Sequence, residues 1–170
     1  MEIKNKVAES SLIQIDLNQF KPNESEIVSL DLSQFLYEGL IIREKEFRQL
    51  VKDFDWNKFL NKQVYIFCSS EAIVPTWSYM LLASVLIENN IEFVVGNKDD
   101  LLKQLIKKNI EKWHKNNELK KEGKYIIKGC SQIPFPSFAI TELMKILQIE
   151  ASGILFGEPC STVPVYKKKK

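Results

Sequence analysis

Hydrophobic residues along the chain follow two periods, which predict alternating strands and helices. Continuous apolar runs predict four strands, at residues 64–67, 91–96, 125–128 and 153–156. Apolar positions three and four residues apart predict helices between them, over residues 75–87, 98–116 and 136–147. The first of these helices is apolar on almost every side, so we expect it to be heavily buried. This order of elements is typical of a parallel sheet covered by helices on both faces.

The predicted fold is therefore a three-layer α/β core, Rossmann-like or flavodoxin-like, with a four-stranded parallel sheet. If these strands are numbered in chain order, right-handed crossovers favour the sheet order 2-1-3-4. The strands at residues 64–67 and 125–128 are then central neighbours. Upstream, residues 12–17 and 26–32 alternate between apolar and polar, with turn residues between them. They predict an antiparallel N-terminal hairpin, which an amphipathic helix carrying Phe47 and Val51 follows.

Both N-terminal strands end in a similar phrase, at residues 16–20 and 31–35. Two strand ends in similar environments explain the echo more simply than an internal repeat. The length of 170 residues predicts one domain. Within it, residues 1–60 form the hairpin and helix, residues 61–166 form the α/β core, and residues 167–170 form a basic tail.

Composition and charge exclude several classes of function. The 24 basic and 22 acidic residues nearly balance, so the chain has no overall field to attract nucleic acid. No apolar run approaches the roughly 20 residues that span a bilayer, and no secretory signal is visible. These features predict a non-exported, cytoplasmic protein. Its three cysteines are then expected to be reduced thiols and not disulfides.

Every cysteine follows a strand-like run and precedes a serine, as Cys68-Ser69, Cys130-Ser131 and Cys160-Ser161. Parallel strands expose their carboxyl ends at one edge of the sheet, where ligands of such folds bind. In the favoured order the three strands are consecutive neighbours, about 4.8 Å apart. The sequence therefore predicts a crevice lined by three thiols. The alternative is that each cysteine is a small buried apolar residue.

The chemistry of such a crevice can be narrowed. No two cysteines are close in sequence, which excludes a zinc knuckle, but Cys68, Cys130 and Cys160 together remain candidate ligands. Thiolates favour zinc, copper(I) or iron–sulfur species. Glu71 and Glu158 are the nearby acids that can accept a proton or serve as a fourth ligand. The only histidine is remote from the strand ends, so cysteine–histidine hydrolysis is disfavoured.

Hydroxyl groups at the same strand ends allow a different function. Together with backbone N–H groups they can bind an anion or a small polar ligand, or they can simply close turns. The residues concerned are Ser69, Ser70, Ser131, Ser161 and Thr162. The glycine-rich dinucleotide fingerprint, the phosphate-binding P-loop and the α/β-hydrolase nucleophile elbow are all missing from the sequence. Whether the protein is an enzyme stays open, as does a homo-oligomeric state.

Four stretches of the chain, at residues 5–10, 38–45, 72–77 and 157–170, resemble a bacterial family of uncharacterised proteins called domain of unknown function 2480. The resemblance covers essentially the whole chain. It implies a cytoplasmic bacterial protein and carries over no activity or catalytic residue. It also implies an association with iron–sulfur assembly proteins. The leading hypothesis is thus an accessory protein whose strand-end thiols bind a soft metal ion, an iron–sulfur species or a thiol-linked intermediate.

Overall fold

The computed structural model describes residues 12–129, 131–158 and 161–169, and the chain divides into two compact units. Unit 1 comprises the described residues up to Pro22 and those from Leu105 onwards, and unit 2 is Asn23–Gln104. The strands and α-helices of the described residues are, in chain order, β1 (Leu12–Ile15), β2 (Ile27–Asp31), α1 (Glu44–Asp53), β3 (Gln63–Phe67), α2 (Thr76–Glu88), β4 (Glu92–Val95), α3 (Lys98–Asn116), β5 (Lys124–Ile127), α4 (Pro136–Glu150), β6 (Gly153–Glu158) and β7 (Ser161–Lys167).

Unit 2 contains a parallel sheet with the strand order β2-β3-β4. Side chains alternate between the two faces of a strand, so Val64 and Ile66 of β3 point into the same core. Phe47 of α1 and Leu82 of α2 are fully buried in that core. The two helices therefore cover one face of the sheet, and the carboxyl ends of its three strands meet at one edge.

Unit 1 contains a sheet with the order β1-β5-β6-β7, in which the first three strands are parallel and β7 is antiparallel to β6. Tyr125, Ile126 and Ile127 of β5 are all buried, as expected for a strand between two parallel neighbours. Leu143 and Leu147 of α4 are fully buried in the same core cluster as Ile127. The continuous apolar sequence of β5 thus reflects its central position.

The two units share one order of elements. Each starts with a strand and an aspartate that caps a 3-10 turn. In unit 1 this aspartate is Asp16, directly after β1, and in unit 2 it is Asp31, the last residue of β2. A helix, a strand, a second helix and a third strand follow, and the three strands pair in parallel in that sequence. In unit 1 this order is interrupted after the turn, where unit 2 is inserted. The similar phrases at the two strand ends belong to this shared order.

The predicted N-terminal hairpin is wrong. β1 pairs in parallel with β5, and β2 pairs in parallel with β3. Eleven residues separate β1 from β2, and they include two 3-10 turns. Hairpin loops are typically two to about five residues long, so this connection does not fold the chain back on itself.

The predicted four-stranded sheet is also wrong, although the α/β class is confirmed. The expected neighbours at residues 64–67 and 125–128 are β3 and β5, which belong to different sheets. β2 takes the position beside β3 that was assigned to β5, and β1 takes the corresponding position beside β5. The Rossmann-like order 2-1-3-4 therefore does not form. The expectation of a single domain stays a prediction.

Two further differences concern individual elements. The predicted strand at residues 153–156 is longer, because β6 continues to Glu158, and β7 follows as a strand that was not predicted and that includes Lys167 of the predicted basic tail. Helix α2 was expected to be heavily buried, yet the side chains of Met80 and Ile87 are exposed. Among the helices of the described residues, none is long and apolar enough to cross a membrane.

Candidate thiol site

Strand β5 leads directly to the first cysteine of unit 1. Its last residue, Ile127, pairs in parallel register with Phe156 of β6. Gly129 follows two residues later and lies close to β6. A Cβ added to it would stand 3.4 Å from Cζ of Phe156 and 3.6 Å from Cα of Gly157. The backbone that precedes Cys130 therefore lies beside the end of β6.

Strand β6 leads to the second cysteine of unit 1 through its antiparallel pairing with β7. Gly157 has a φ of 120°, which side-chain-bearing residues rarely adopt, and an added Cβ would collide with the carbonyl oxygen of Ser161. Ser161 is also the strand partner of Glu158. The connecting residues Pro159 and Cys160 lie outside the described residues, as does Cys130.

The predicted site residues that flank these cysteines are at least partly accessible. Ser131, Glu158 and Thr162 are half-buried, whereas Ser161 is exposed. The backbone N–H of Ser131 donates to the carbonyl oxygen of Gly129 at 3.2 Å. A carboxylate and three hydroxyl groups thus lie within two residues, in sequence, of the two cysteines of unit 1.

In unit 2, Cys68 follows β3 and is half-buried against the core. Tyr79 of α2 interacts with it. Burial of the Tyr79 hydroxyl, and secondarily the charge of the Cys68 thiolate, raise the pKa of Tyr79 above its usual range. Cys68 therefore lies at the rim of the unit 2 core, between the end of β3 and α2.

Ser69, which follows Cys68, belongs to a hydrogen-bonded node around Asp31. The carboxylate of Asp31 accepts from the backbone N–H groups of Ser33 at 2.9 Å and Ser69 at 3.1 Å. The hydroxyl of Ser69 also donates to that of Ser33 at 3.0 Å. Burial is the largest influence on the pKa of Asp31 and raises it, but the hydrogen bonds together outweigh burial and lower it. This node ties the end of β2 to the end of β3.

The next two predicted site residues of unit 2 differ in their contacts. The hydroxyl of Ser70 donates to the carbonyl oxygen of Gly39 at 2.7 Å and accepts from the N–H of Ala72 at 3.3 Å. Glu71 is exposed. The serine hydroxyls after β3 thus close loops in this structure. Their predicted role in binding an anion stays a prediction.

The Cys-Ser pairs that follow β3 and β5 do not occupy equivalent positions in the two units. When the two strands are aligned, the pairs differ by one residue. Leu30 and Ile15 directly precede the capping aspartates, and their strand partners are Ile66 and Ile127. Cys68 therefore corresponds to Gly129 and not to Cys130. Moreover, β3 is not in the sheet of β5 and β6, so the strand-spacing argument for three converging thiols holds only for the cysteines that follow β5 and β6.

Two further features of the described residues, their possible metal ligands and an apolar groove, bear on ligand binding. They contain no cluster of three or more histidine, cysteine, aspartate or glutamate side chains that can hold a metal ion. A groove of about 230 Å³ in unit 1 is lined by apolar side chains only, among them Met144 of α4, Phe156 of β6 and Val163 of β7. It provides no polar group to orient an anion or a small polar ligand.

Sequence reasoning missed the residues that hold the strand ends together in unit 1. The carboxylate of Asp16 accepts from the N–H of Asn18 at 2.9 Å, and the side-chain oxygen of Asn18 accepts from the N–H of Gln132 at 2.8 Å. This arrangement is the counterpart of the Asp31 node and lies two residues from Cys130. The repeated phrase that begins with Asp16 and Asp31 was the signal for it.

Comparisons with known proteins give a family but no function. Neither the curated proteins nor the solved structures contain a match to this chain. The model of the family described as "Protein of unknown function (DUF2480)" matches residues 1–168, which is nearly the whole chain. The chain therefore belongs to the DUF2480 family.

Proposed function

We propose that this chain binds a soft metal ion, as zinc or as an iron–sulfur species, through the thiolates of Cys130 and Cys160. The observation that carries the proposal is the closeness of Gly129 to the end of β6, where a Cβ added to Gly129 would stand 3.6 Å from Cα of Gly157. The backbone segments that lead to the two cysteines lie side by side there. Two thiols that follow adjacent parallel strands are well placed to share one ligand.

Described residues that adjoin both cysteines in the chain lie at this edge of the sheet. Cys130 is one Cα step, about 3.8 Å, from Gly129, and Cys160 is one such step from Ser161. Ser161 pairs with Glu158, and its carbonyl oxygen adjoins Gly157. Each cysteine is therefore one residue away from a described position at the same edge of the unit 1 sheet.

The available ligands suit a soft metal ion whose coordination shell the protein fills only in part. Two thiolates and the carboxylate of Glu158 supply three ligands, and zinc in proteins usually takes four. An open fourth position is typical of sites that react with or transfer a bound group and is uncommon in purely structural sites. This chemistry supports an accessory role, in a bacterial cytoplasm, beside proteins that assemble iron–sulfur clusters.

Cys68 is not required by this site and provides its control. It follows β3 in the sheet of unit 2, where it packs against the core. A Ser in its place preserves size and removes only the thiol. Cys68→Ser is thus matched to Cys130→Ser and Cys160→Ser in chemistry and differs in the sheet that it affects.

The test is the metal and sulfide content of untagged protein that is purified without oxygen, together with its visible absorbance. We expect about one zinc ion or one iron–sulfur species per chain, either as purified or after reconstitution. Cys130→Ser and Cys160→Ser should each lower metal affinity by about tenfold or more, because each removes a ligand. Cys68→Ser should leave it unchanged.

Either of two results would overturn the proposal. One is a wild-type protein that stays colourless and metal-free after reconstitution. The other is a loss of affinity in Cys68→Ser that equals the loss in the unit 1 variants. If removal of all three thiols leaves the binding of a small polar ligand unchanged, the alternative function through hydroxyl groups and backbone N–H groups is favoured instead.

A further inference from the structure

Helix α2 has an apolar face that the described part of the chain leaves open. The sequence carries no charged residue between Glu71 and Glu88, so the helix is uncharged up to its last residue, Glu88. Its inner side is buried through Ser78, Leu82 and Leu86. On its outer side, however, Met80 is 69% exposed and Ile87 is 65% exposed. Outer faces of helices in soluble proteins are usually charged or polar, so this face is suited to a partner.

The outer residues follow the spacing of a helix-pairing seam. Trp77, Met80, Ser84 and Ile87 are separated by three, four and three residues, which places them along one stripe of the helix. Trp77 is half-buried, and the other three are exposed. Such a stripe lets a second helix lie almost parallel or antiparallel to the first.

We propose that α2 packs antiparallel against α2 of a second copy of this chain, so that the protein forms a twofold-symmetric dimer. A twofold interface uses the same surface on both subunits, so the surface must complement itself. An uncharged stripe meets this requirement, because no like charges face each other at its centre. The interface is independent of the proposed thiol site.

The sizes of the stripe residues complement each other in the antiparallel arrangement. With the twofold axis at the level of Leu82, Met80 lies opposite the small side chain of Ser84 in the other copy. Trp77 likewise lies opposite Ile87. The large side chain of Met80 then meets a small one near the centre of the interface, as close packing requires, and the pair of Trp77 and Ile87 is apolar on both sides. A parallel arrangement would place Met80 against its own copy instead.

Charges at the two ends of the stripe favour the same arrangement. The guanidinium of Arg48 lies over the ring of Trp77, at 5.8 Å from the ring centre, and so marks the beginning of the stripe. Glu88 directly follows Ile87 at its other end. Arg48 pairs with Glu44 of its own helix at 2.9 Å. Antiparallel packing brings Glu88 of the other copy near the same guanidinium, and symmetry repeats this arrangement. Such opposite charges fix the orientation of partners.

The dimensions predict a dimer of moderate affinity. Helix α2 has 13 residues, so it is about 20 Å long. One helix pair of this length buries less than the roughly 1,200 Å² of a standard stable interface. We therefore expect a dissociation constant of about 1–100 μM and exchange between monomer and dimer.

Analytical ultracentrifugation of the full-length protein, at a series of concentrations around this range, tests the proposal. The wild type should pass from monomer to dimer as its concentration rises. Met80→Lys places a charge opposite Ser84 and should weaken the dimer by about tenfold or more. Ile149→Lys is the matched control, because Ile149 is also an exposed apolar residue on a helix, α4, and is 73% exposed. It should leave the dimer unchanged.

A charge exchange distinguishes the antiparallel interface from a general effect on solubility. Arg48→Glu and Glu88→Arg should each weaken the dimer, and the double variant should restore it, because the pair is then re-formed with opposite signs. A wild type that stays monomeric throughout the series would overturn the proposal. Equal effects of Met80→Lys and Ile149→Lys, or a double variant weaker than both single variants, would overturn it as well.

Discussion

At the scale of single residues, Gly157 shows how closely the backbone is packed at the candidate thiol site. Its φ of 120° falls in a region that side-chain-bearing residues rarely occupy. The carbonyl oxygen of Ser161 also fills the space that a Cβ would need. Gly157 therefore allows the last residues of β6 to approach the first residues of β7 closely.

Gly157→Ala should destabilise the protein by about 1–3 kcal/mol, because the new methyl group forces an unfavourable backbone conformation and a collision. Gly153→Ala is the control. A Cβ added to it would stand 3.6 Å from the carbonyl oxygen of Tyr166, the closest atom apart from its neighbours in the chain, and its φ is not in the positive region. We expect it to change stability by less than about 0.5 kcal/mol. Urea unfolding measures both, and equal costs would contradict the role assigned to Gly157.

The positions of the strand ends could be predicted from the sequence, but the hydrogen-bond partners of the side chains that follow them could not. Cys68, Ser69 and Ser70 follow β3 as predicted. The partners of the two hydroxyls, Ser33 and Gly39, are more than 30 residues away in the chain. Local patterns carry no information about such distant partners, so a serine that closes a loop looks the same as one that binds a ligand.

At the scale of elements, helices with strong periodicity were predicted well. The bounds of α3 agree with the prediction, and Asn97 caps it by accepting from the N–H groups of Asp99 and Asp100 at 2.8 and 3.1 Å. The burial of α2 was predicted wrongly. Hydrophobicity on all sides of a helix favours burial of every side but does not require it, and the outer side of α2 is exposed among the described residues.

The capping aspartates of the two units give a prediction at this scale. Asp31→Ala should cost about 1–2 kcal/mol at neutral pH, because it removes acceptors for both Ser33 and Ser69. Asp16→Ala, which removes the acceptor for Asn18, should cost about 0.5–1 kcal/mol. Chemical denaturation of the two variants compares these costs, and a larger cost for Asp16→Ala would contradict the stronger role of the Asp31 node.

The cost of Asp31→Ala should also depend on pH. The pKa of Asp31 in the folded protein lies below its usual value of 3.8. Its ionised form therefore stabilises the protein above about pH 4, and this stabilisation is lost as the pH falls through the folded value. The difference between wild type and variant should shrink on acidification. A difference that is constant down to low pH would contradict this.

At the scale of the whole molecule, the α/β class followed from the sequence, but the sheets did not. β1 and β2 have nearly the same pattern and the same ending, so either can pair with β3 or with β5 as far as local signals are concerned. The structure places β2 beside β3 and β1 beside β5. The choice depends on the insertion of unit 2 after the first turn of unit 1, which no local pattern reveals.

This division of strands also limits the candidate site. Three thiols were expected to meet because one sheet was expected to hold all their strands. With two sheets, the geometric argument remains for Cys130 and Cys160, which follow the neighbouring strands β5 and β6. The central claim is thus a site of two thiolates in unit 1, with Glu158 beside it.

X-ray absorption at the zinc edge of zinc-loaded protein tests this claim most directly, because it counts the sulfur neighbours of the metal. We predict two sulfur neighbours at about 2.3 Å, together with lighter oxygen or nitrogen neighbours. Cys68→Ser should leave the count at two, and Cys130→Ser should lower it to one. A spectrum with oxygen and nitrogen neighbours only, or a protein that retains no zinc, would contradict the account.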